Sequence, residues 1–141
     1  AGSARSPAWM IQQEGPGWRL ARDLSLPVFS VLIGGDNWAF ELNETEARAL
    51  ASVVCELVTQ HRSICDQLMD EESITLELER SGWWVCLDGD RSDWSLRVIL
   101  ASQGADASQP RGLEACWPSP AAKAMAAAMR TLWDNTNDQS S

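Results

Sequence analysis

The chain has 141 residues, of which 45% are hydrophobic, so it is the size of one domain and apolar enough to form a buried core. Twenty acidic residues against eleven basic ones give a net charge of −9, which repels phosphate backbones and makes nucleic acid a disfavoured partner. No membrane is expected, because the longest nearly apolar stretch, 26–33, is far shorter than the roughly 20 residues that span a bilayer.

The amino-terminal part of the chain is predicted to be a flexible segment over 1–16, because these residues show no hydrophobic period. Strand patterns begin at Gly17, and three strands in meander order are predicted around 18–20, 28–33 and 38–42. The residues Gly34, Gly35 and Asp36 tolerate a positive φ, so they are predicted to form the hairpin turn before the third strand.

A long helix is predicted over 44–70. Asn43 and Glu46 have the spacing of a capping box at its start. Apolar side chains then recur at steps of three and four in one stripe. The stripe contains Ala47, Leu50, Val54, Leu57, His61, Ile64 and Leu68.

After Asp70 the apolar period returns to two, which is typical of antiparallel strands with one solvated face. Four strands are predicted at 74–79, 83–87, 94–100 and 113–117, with a turn at Ser81 and Gly82 and a polar loop over 101–111. A second helix is predicted over 121–133. The predicted core comprises Leu50, Val54, Leu57, Leu76, Leu78, Leu96, Val98, Met125, Met129 and Leu132.

These elements predict a single α+β domain over 17–133, with a flexible tail over 134–141. A largely antiparallel sheet is expected in two halves, each a strand meander followed by a helix, with both helices packed on the sheet. The halves end alike, which is explained either by a duplication or by a shared strand-to-helix corner.

Chemical motifs are scarce. His61 is the single histidine, and its place in the apolar stripe favours packing over catalysis. The four cysteines lack the close spacing of a zinc site, and Cys86 and Cys116 are expected to be small buried hydrophobes in a reducing cytoplasm. The loop 88–93 lacks the glycine and glutamate of a calcium loop. No catalytic residue, metal or cofactor is therefore predicted.

Exposed tryptophan and arginine side chains are the alternative source of function. Trp83 and Trp84 alternate, so they point to opposite faces of a strand, and an exposed indole can stack unpaired bases. Arginines in or near the strands could line one groove or neutralise neighbouring carboxylates, and we favour the second interpretation. These arginines are Arg19, Arg22, Arg80, Arg91, Arg97 and Arg111.

Acidic residues concentrate in the segment 43–72, which holds seven acids and two arginines. If this surface binds anything, its partner should be basic. Asp70, Glu71 and Glu72 lie at the predicted carboxyl end of the helix, where they oppose the helix dipole. The candidate partner-binding residues are Asp70, Glu71, Glu72, Trp83, Trp84 and Arg97.

Five sequence blocks resemble those of a small family of cyanobacterial proteins with a domain of unknown function. They are GWRL at 17–20, LIGGDNWA at 32–39, ITLELE at 74–79, GWW at 82–84 and WSLR at 94–97. The resemblance implies a fold similar to that of the Whirly-like group of transcriptional regulators, which bind single-stranded DNA. It implies no catalytic residues.

The leading functional hypothesis is a non-enzymatic binding or regulatory protein in the cytoplasm, which engages a protein partner and for which a homodimer is one candidate assembly. The alternative hypothesis is a single-stranded nucleic-acid-binding protein that uses tryptophan and arginine on an open sheet face. The two hypotheses differ in the expected salt dependence of binding.

Overall fold

The structure is a computed structural model that describes residues 10–101 and 112–140. It contains eight strands and two helices in these ranges. In chain order they are β1 (Met10–Gly15), β2 (Trp18–Asp23), β3 (Val31–Gly34), β4 (Ala39–Leu42), α1 (Glu44–Cys65), β5 (Ile74–Arg80), β6 (Trp83–Gly89), β7 (Trp94–Leu100), β8 (Leu113–Trp117) and α2 (Ala121–Ser140).

The strands form two antiparallel sheets of four strands, with the orders β1-β2-β3-β4 and β5-β6-β7-β8. Each sheet is a meander that is followed directly by a helix, so the predicted α+β class and its two halves are confirmed. The two halves share one topology in the described part of the chain. The sequence-based prediction of the two halves lacked one of these strands, namely β1 of the first half.

Both helices pack against the apolar inner faces of the sheets. α1 contacts β5 and β6 of the second sheet, whereas α2 contacts β1 and β2 of the first sheet and β7 of the second. The two sheets also contact each other directly, because the Trp117 indole donates a hydrogen bond to the Gly34 carbonyl at 3.0 Å. In the second sheet, more buried and less buried side chains alternate along β6, β7 and β8, so its other face points away from this core.

Eight of the ten predicted core side chains are buried, and Leu76 and Leu78 on the edge strand β5 are partly buried against the core. The cysteine prediction is wrong for Cys116, which is exposed, and only partly right for Cys86, which is half-buried. Both lie in strands as predicted, but they belong to the outer face of the second sheet.

Three predicted boundaries are corrected. The predicted flexible segment 1–16 contains β1, and α2 continues past residue 133 to Ser140 into the predicted tail. The long helix ends at Cys65 with Asp66 as its C-cap, not at Asp70. The predictions for residues 1–9, 102–111 and 141 lie outside the described residues.

The turns follow local chemistry. Ser81 and Gly82 have φ values of 55° and 87°, as a two-residue hairpin turn requires. The hairpin at Gly34 and Gly35 is confirmed, but its reason is space, not a positive φ. A Cβ on Gly34 would lie 2.7 Å from the Trp38 carbonyl oxygen, and one on Gly35 would lie 2.5 Å from the Trp38 indole nitrogen.

No helix in the described ranges has the length and hydropathy needed to cross a membrane.

Candidate functional site

The large apolar side chains that the structure leaves exposed concentrate in the loop between β2 and β3. Four of the five such residues in the described chain occur within six positions, and the fifth is Met69. In this loop Leu24 is 52% exposed and Val28 is 57% exposed, and Leu26 and Phe29 are also exposed. We call residues 24–29 the docking loop. Large exposed apolar patches mark interaction sites in soluble proteins, so these four side chains are the candidate residues for such a patch in the described chain.

The docking loop is held in place at its amino-terminal end by Asp23. The Asp23 carboxylate accepts hydrogen bonds from the Ser25 backbone N–H at 3.0 Å and from the Ser25 hydroxyl at 2.6 Å. The Asp23 backbone closes the base of the loop, because its N–H donates to the Ser30 carbonyl at 2.7 Å and its own carbonyl accepts from Leu26. The apolar side chains are therefore presented on a backbone that is already ordered.

The other end of the docking loop is tied to the start of α1. The Ser30 hydroxyl donates a hydrogen bond to the Glu44 carboxylate at 2.5 Å, and Arg22 donates to both oxygens of the same carboxylate. Arg22 and Ser30 are buried, each only 6% exposed. This cluster couples the loop, β2 and the amino terminus of α1.

The Glu44 carboxylate is held in its charged form by these contacts. Partial burial raises the pKa of Glu44. The hydrogen bonds from Arg22 and Ser30 lower this pKa, as do the positive charges of Arg22 and Arg48. Together these contacts outweigh burial, so the pKa lies below the ordinary value of 4.5. Glu44 also occupies the first turn of α1, where the helix dipole favours an anion. The cluster is thus an ion pair at neutral pH.

Sequence analysis missed the docking loop because it assigned Val28 and Phe29 to a strand. Pro27 marks a break just before that predicted strand, but Leu24, Leu26 and Val28 alternate as strand residues do, so the sequence alone does not separate them from β3.

The second candidate surface is the outer face of the second sheet. The strand register places Glu79, Trp84, Ile99 and Glu114 in one row across β5–β8. The next row contains Glu77, Cys86, Arg97 and Cys116, and Asp88 lies beyond it. We call these outward residues of β5–β8 the acidic sheet face, because they hold four carboxylates and one arginine.

The acidic sheet face keeps most of its negative charge. Arg97 forms an ion pair with Glu114, with its Nε 2.8 Å from the carboxylate, and this contact raises the pKa of Arg97. The Glu77 carboxylate accepts a hydrogen bond from the Trp84 indole at 3.0 Å, and Asp88 accepts one from the Thr75 hydroxyl at 2.8 Å. Both donors are neutral, so neither hydrogen bond offsets the charge of its carboxylate.

Cys86 lies among these charges. Burial raises the pKa of its thiol, and the neighbouring Glu77 and Asp88 raise it further. Cys86 is therefore an uncharged thiol at neutral pH and not an activated nucleophile. The acidic sheet face has the properties of a binding surface, not of a thiol active site.

Trp83 and Trp84 lie on opposite faces of β6, as their alternation predicted. Trp84 is partly exposed on the acidic sheet face beside the row of Arg97. Trp83 is fully buried, and its indole donates a hydrogen bond to the Glu46 carbonyl at 3.0 Å. The proposal of Trp83 as a partner-binding residue is therefore wrong, because its side chain belongs to the core beneath α1.

The predicted acidic site at the end of the helix is a turn that follows it. Asp70, Glu71 and Glu72 are exposed, but α1 ends at Cys65, so these acids do not oppose the dipole of its last turn. Asp70 forms an ion pair with Arg91 at 3.3 Å, and Glu72 accepts a hydrogen bond from the Met69 backbone. These acids precede β5 in the chain, so they lie near the opposite end of that strand from Glu79.

His61 is a structural residue. It is 6% exposed, its Nε2 lies 2.8 Å from the Asp90 carbonyl oxygen, and its ring packs beside Trp94. Asp90 in turn accepts hydrogen bonds from the backbone N–H groups of Asp93 and Ser92, which lower its pKa. His61 thus fixes the loop between β6 and β7 to α1. In the described ranges, no three His, Cys, Asp or Glu side chains are grouped to hold a metal ion.

Within the described residues, four of the six arginines named above pair with carboxylates and are not aligned along one groove. The pairs are Arg22 with Glu44, Arg80 with Glu56, Arg91 with Asp70 and Arg97 with Glu114. Of these, the pair of Arg97 with Glu114 joins two neighbouring strands, as the favoured interpretation expected. Arg19 instead donates hydrogen bonds to the carbonyls of Gly35 and Trp38. Arg111 lies outside the described residues. Three of these pairs neutralise acids of the segment 43–72, so that segment is not a uniformly acidic surface.

Comparison with known proteins agrees with the cyanobacterial resemblance. The model of a family described as a domain of unknown function, DUF1818, matches residues 13–132. The chain is also similar to a protein of unknown function from Prochlorococcus sp. NATL2A, described as a DUF155-family protein, whose crystal structure is known. The two are 46% identical with a TM-score of 0.79, and the match covers 87% of this chain and 98% of that one. No curated protein matches the chain.

Proposed function

Because the chain belongs to the DUF1818 family, whose description names no activity, we propose a function from its surface alone, namely that it is a non-enzymatic protein that binds another protein through the docking loop. Four exposed apolar side chains within six residues carry this proposal. Water disfavours such a surface, and burial in a complex stabilises it by about 25 cal/mol for each Å² of apolar area removed from water.

The anchoring of the docking loop strengthens the proposal. A loop that is ordered before binding loses less conformational entropy when a partner immobilises it. Here the Asp23 turn fixes one end, and the cluster of Ser30, Glu44 and Arg22 fixes the other. An exposed apolar loop without a binding role would not need this anchoring at both ends.

The occupant that fits the docking loop is an apolar groove on a different protein. Two copies of the chain each carry a net charge of −9 and therefore repel each other. A groove with a basic rim on a different protein is instead attracted to this charge. Homodimerisation is the weaker interpretation.

The alternative of a single-stranded nucleic-acid-binding protein has less support. It requires exposed tryptophan and arginine on a sheet face, and Trp84 and Arg97 do share the acidic sheet face. However, Arg97 is neutralised by Glu114, and the carboxylates around it repel phosphates. The likeness to the Whirly-like regulators stays a prediction, and fold likeness by itself does not confer their function.

The test is to remove the apolar contact without changing charge. A partner captured from an extract of the native cells on the immobilised chain is purified, and its affinity is measured for the wild type and for the double variant Leu24→Ser, Val28→Ser. Both side chains are exposed, so folding should be unaffected. We expect at least about tenfold weaker binding, since losing two well-packed apolar contacts exceeds 1.4 kcal/mol.

Met69→Ser is the control, because Met69 is an apolar residue outside the docking loop and is even more exposed, at 77%. It should leave the affinity unchanged. Full affinity of the double variant would refute the proposal, as would an equal loss in the control. Sedimentation of the chain alone tests the homodimer: a dimer of the wild type that dissociates in the double variant would assign the docking loop to a second copy instead.

A further inference from the structure

We propose that the acidic sheet face is a second docking site, which binds a basic, arginine-bearing segment of a protein in extended conformation. The inference is independent of the docking loop, since the two surfaces lie on different sheets. Its basis is the row of Glu79, Trp84, Ile99 and Glu114, where two apolar side chains lie between two carboxylates.

The charges of this face select a cationic occupant. Glu114 is already paired with Arg97, whereas the hydrogen bonds to Glu77 and Asp88 come from neutral donors and do not offset their charge. Glu79 stands next to Glu77 on the same side of β5. Glu77 and Glu79 thus flank the partly exposed Trp84, and Asp88 lies four residues further along β6 on the same face.

The presence of Trp84 favours arginine over other cations. A guanidinium stacks flat on an indole and donates parallel hydrogen bonds to a carboxylate, whereas the lysine ammonium is a compact, strongly hydrated charge. The Trp84 indole is itself oriented by its hydrogen bond to Glu77, which places a carboxylate at the edge of the stacking surface. Both parts of an arginine site are therefore adjacent.

The shape of the face favours an extended segment over a small molecule. Small ligands occupy concave pockets, whereas this surface is one side of a four-stranded sheet. Alternate side chains of an extended peptide point to the same side, and they can therefore follow the carboxylates along β5. A second copy of the acidic sheet face is a poor occupant, because it carries the same charge.

The probe is a fluorescein-labelled peptide of sequence GRGRGR, whose alternate arginines share one side when extended. Its binding to the full chain is measured by fluorescence anisotropy at about 50 and about 200 mM salt, beside the matched peptide GKGKGK. We expect saturable binding of the arginine peptide that weakens with salt, and weaker binding of the lysine peptide. Trp84→Ala should reduce the affinity roughly two- to fivefold.

Charge-matched variants separate this site from the general attraction of an acidic protein. The double variant Glu77→Gln, Glu79→Gln and the control Glu71→Gln, Glu72→Gln remove the same charge, and the control lies in the turn after α1. Only the first should weaken binding of the arginine peptide. Leu24→Ser, Val28→Ser should bind it normally, so that failure of this site and failure of the docking loop are distinguishable.

Three results would overturn the proposal: no saturable binding of the arginine peptide below about 1 mM, an equal loss in both glutamine pairs, or unchanged affinity in Trp84→Ala. Urea denaturation checks that Trp84→Ala is folded. If it is not, the glutamine pairs alone decide, since all four of their side chains are exposed.

Discussion

The ion pair of Arg22 and Glu44 determines how the docking loop responds to pH. The folded-state pKa of Glu44 lies below its ordinary value of 4.5, so the pair stabilises the fold above that pH, and the contribution is lost as the pH falls through the folded-state pKa. Glu44→Gln removes the charge opposite the buried Arg22. We expect it to cost roughly 1–3 kcal/mol near pH 7, the range for weakening a buried polar contact.

The free energy of unfolding in urea, measured at about pH 7 and about pH 3.5 for both proteins, checks this expectation. The difference between the wild type and Glu44→Gln should shrink at the lower pH, because there the unfolded chain binds a proton at Glu44 more readily than the folded protein does. A difference that stays the same at both values would show that the charge of Glu44 is not what stabilises the cluster.

A core prediction concerns Leu57, which is fully buried in the apolar stripe of α1. Leu57→Ala should destabilise the protein by about 2–5 kcal/mol, because the lost apolar burial is compounded by the cavity left behind. The urea midpoint measures the effect. Met69→Ala removes a similar side chain from an exposed position and should leave the midpoint unchanged. Equal midpoints for Leu57→Ala and the wild type would contradict the packing of α1.

The elements differ in how far local sequence determines them, and α1 shows both extremes. Its start needs only neighbouring residues: the Asn43 side chain accepts from the Glu46 N–H at 2.8 Å, and the Glu46 side chain accepts from the Asn43 N–H at 3.0 Å. We therefore expect Asn43→Ala to cost about 0.5–2 kcal/mol, measured by urea denaturation. Asn43→Asp retains an acceptor and should be nearly neutral. Equal losses in both variants would show that the cap does not stabilise α1.

The end of α1 and the strand β1 were not predicted in this way. The apolar period continues from Ile64 to Leu68, although the helix stops at Cys65, and the following turn is closed by hydrogen bonds from Gln67 to Ile64 and from Leu68 to Cys65. β1 contains only two large apolar residues, so it lacks the hydrophobic alternation that marks the other strands. Its pairing with β2 is a tight hairpin, and the turn residues Pro16 and Gly17, with Gly17 at a φ of 84°, were a local signal of it in the sequence.

The candidate site residues also differ in whether neighbouring sequence predicts their surroundings. The alternation of β6 predicted that Trp83 and Trp84 face opposite sides, and the apolar Val85 and Leu87 on the side of Trp83 could have identified it as the buried one. The neutralisation of Arg97 by Glu114 follows from the pairing of β7 with β8, which adjacent sequence does not reveal. The docking loop was recognisable only after the true end of β2 was known.

At the scale of the whole molecule, charge decides between the classes of partner. The net charge of −9 is spread over both halves, and four of the arginines are paired with carboxylates in the described structure. A phosphate backbone that approached the acidic sheet face would meet four carboxylates and one neutralised arginine. Protein partners that carry basic residues are attracted by the same field.

We therefore expect no saturable binding of a labelled single-stranded oligonucleotide at physiological salt, as measured by fluorescence anisotropy. Lowering the salt lengthens the range of electrostatic repulsion from the chain as well as strengthening any local attraction, so it should not produce tight binding here. Arg97→Ala serves as the diagnostic variant, because it removes the one cation of the acidic sheet face. Low-micromolar binding that weakens steeply with salt and is lost in Arg97→Ala would instead establish the nucleic-acid function, since neutralised phosphates release counterions in proportion to the cations that contact them.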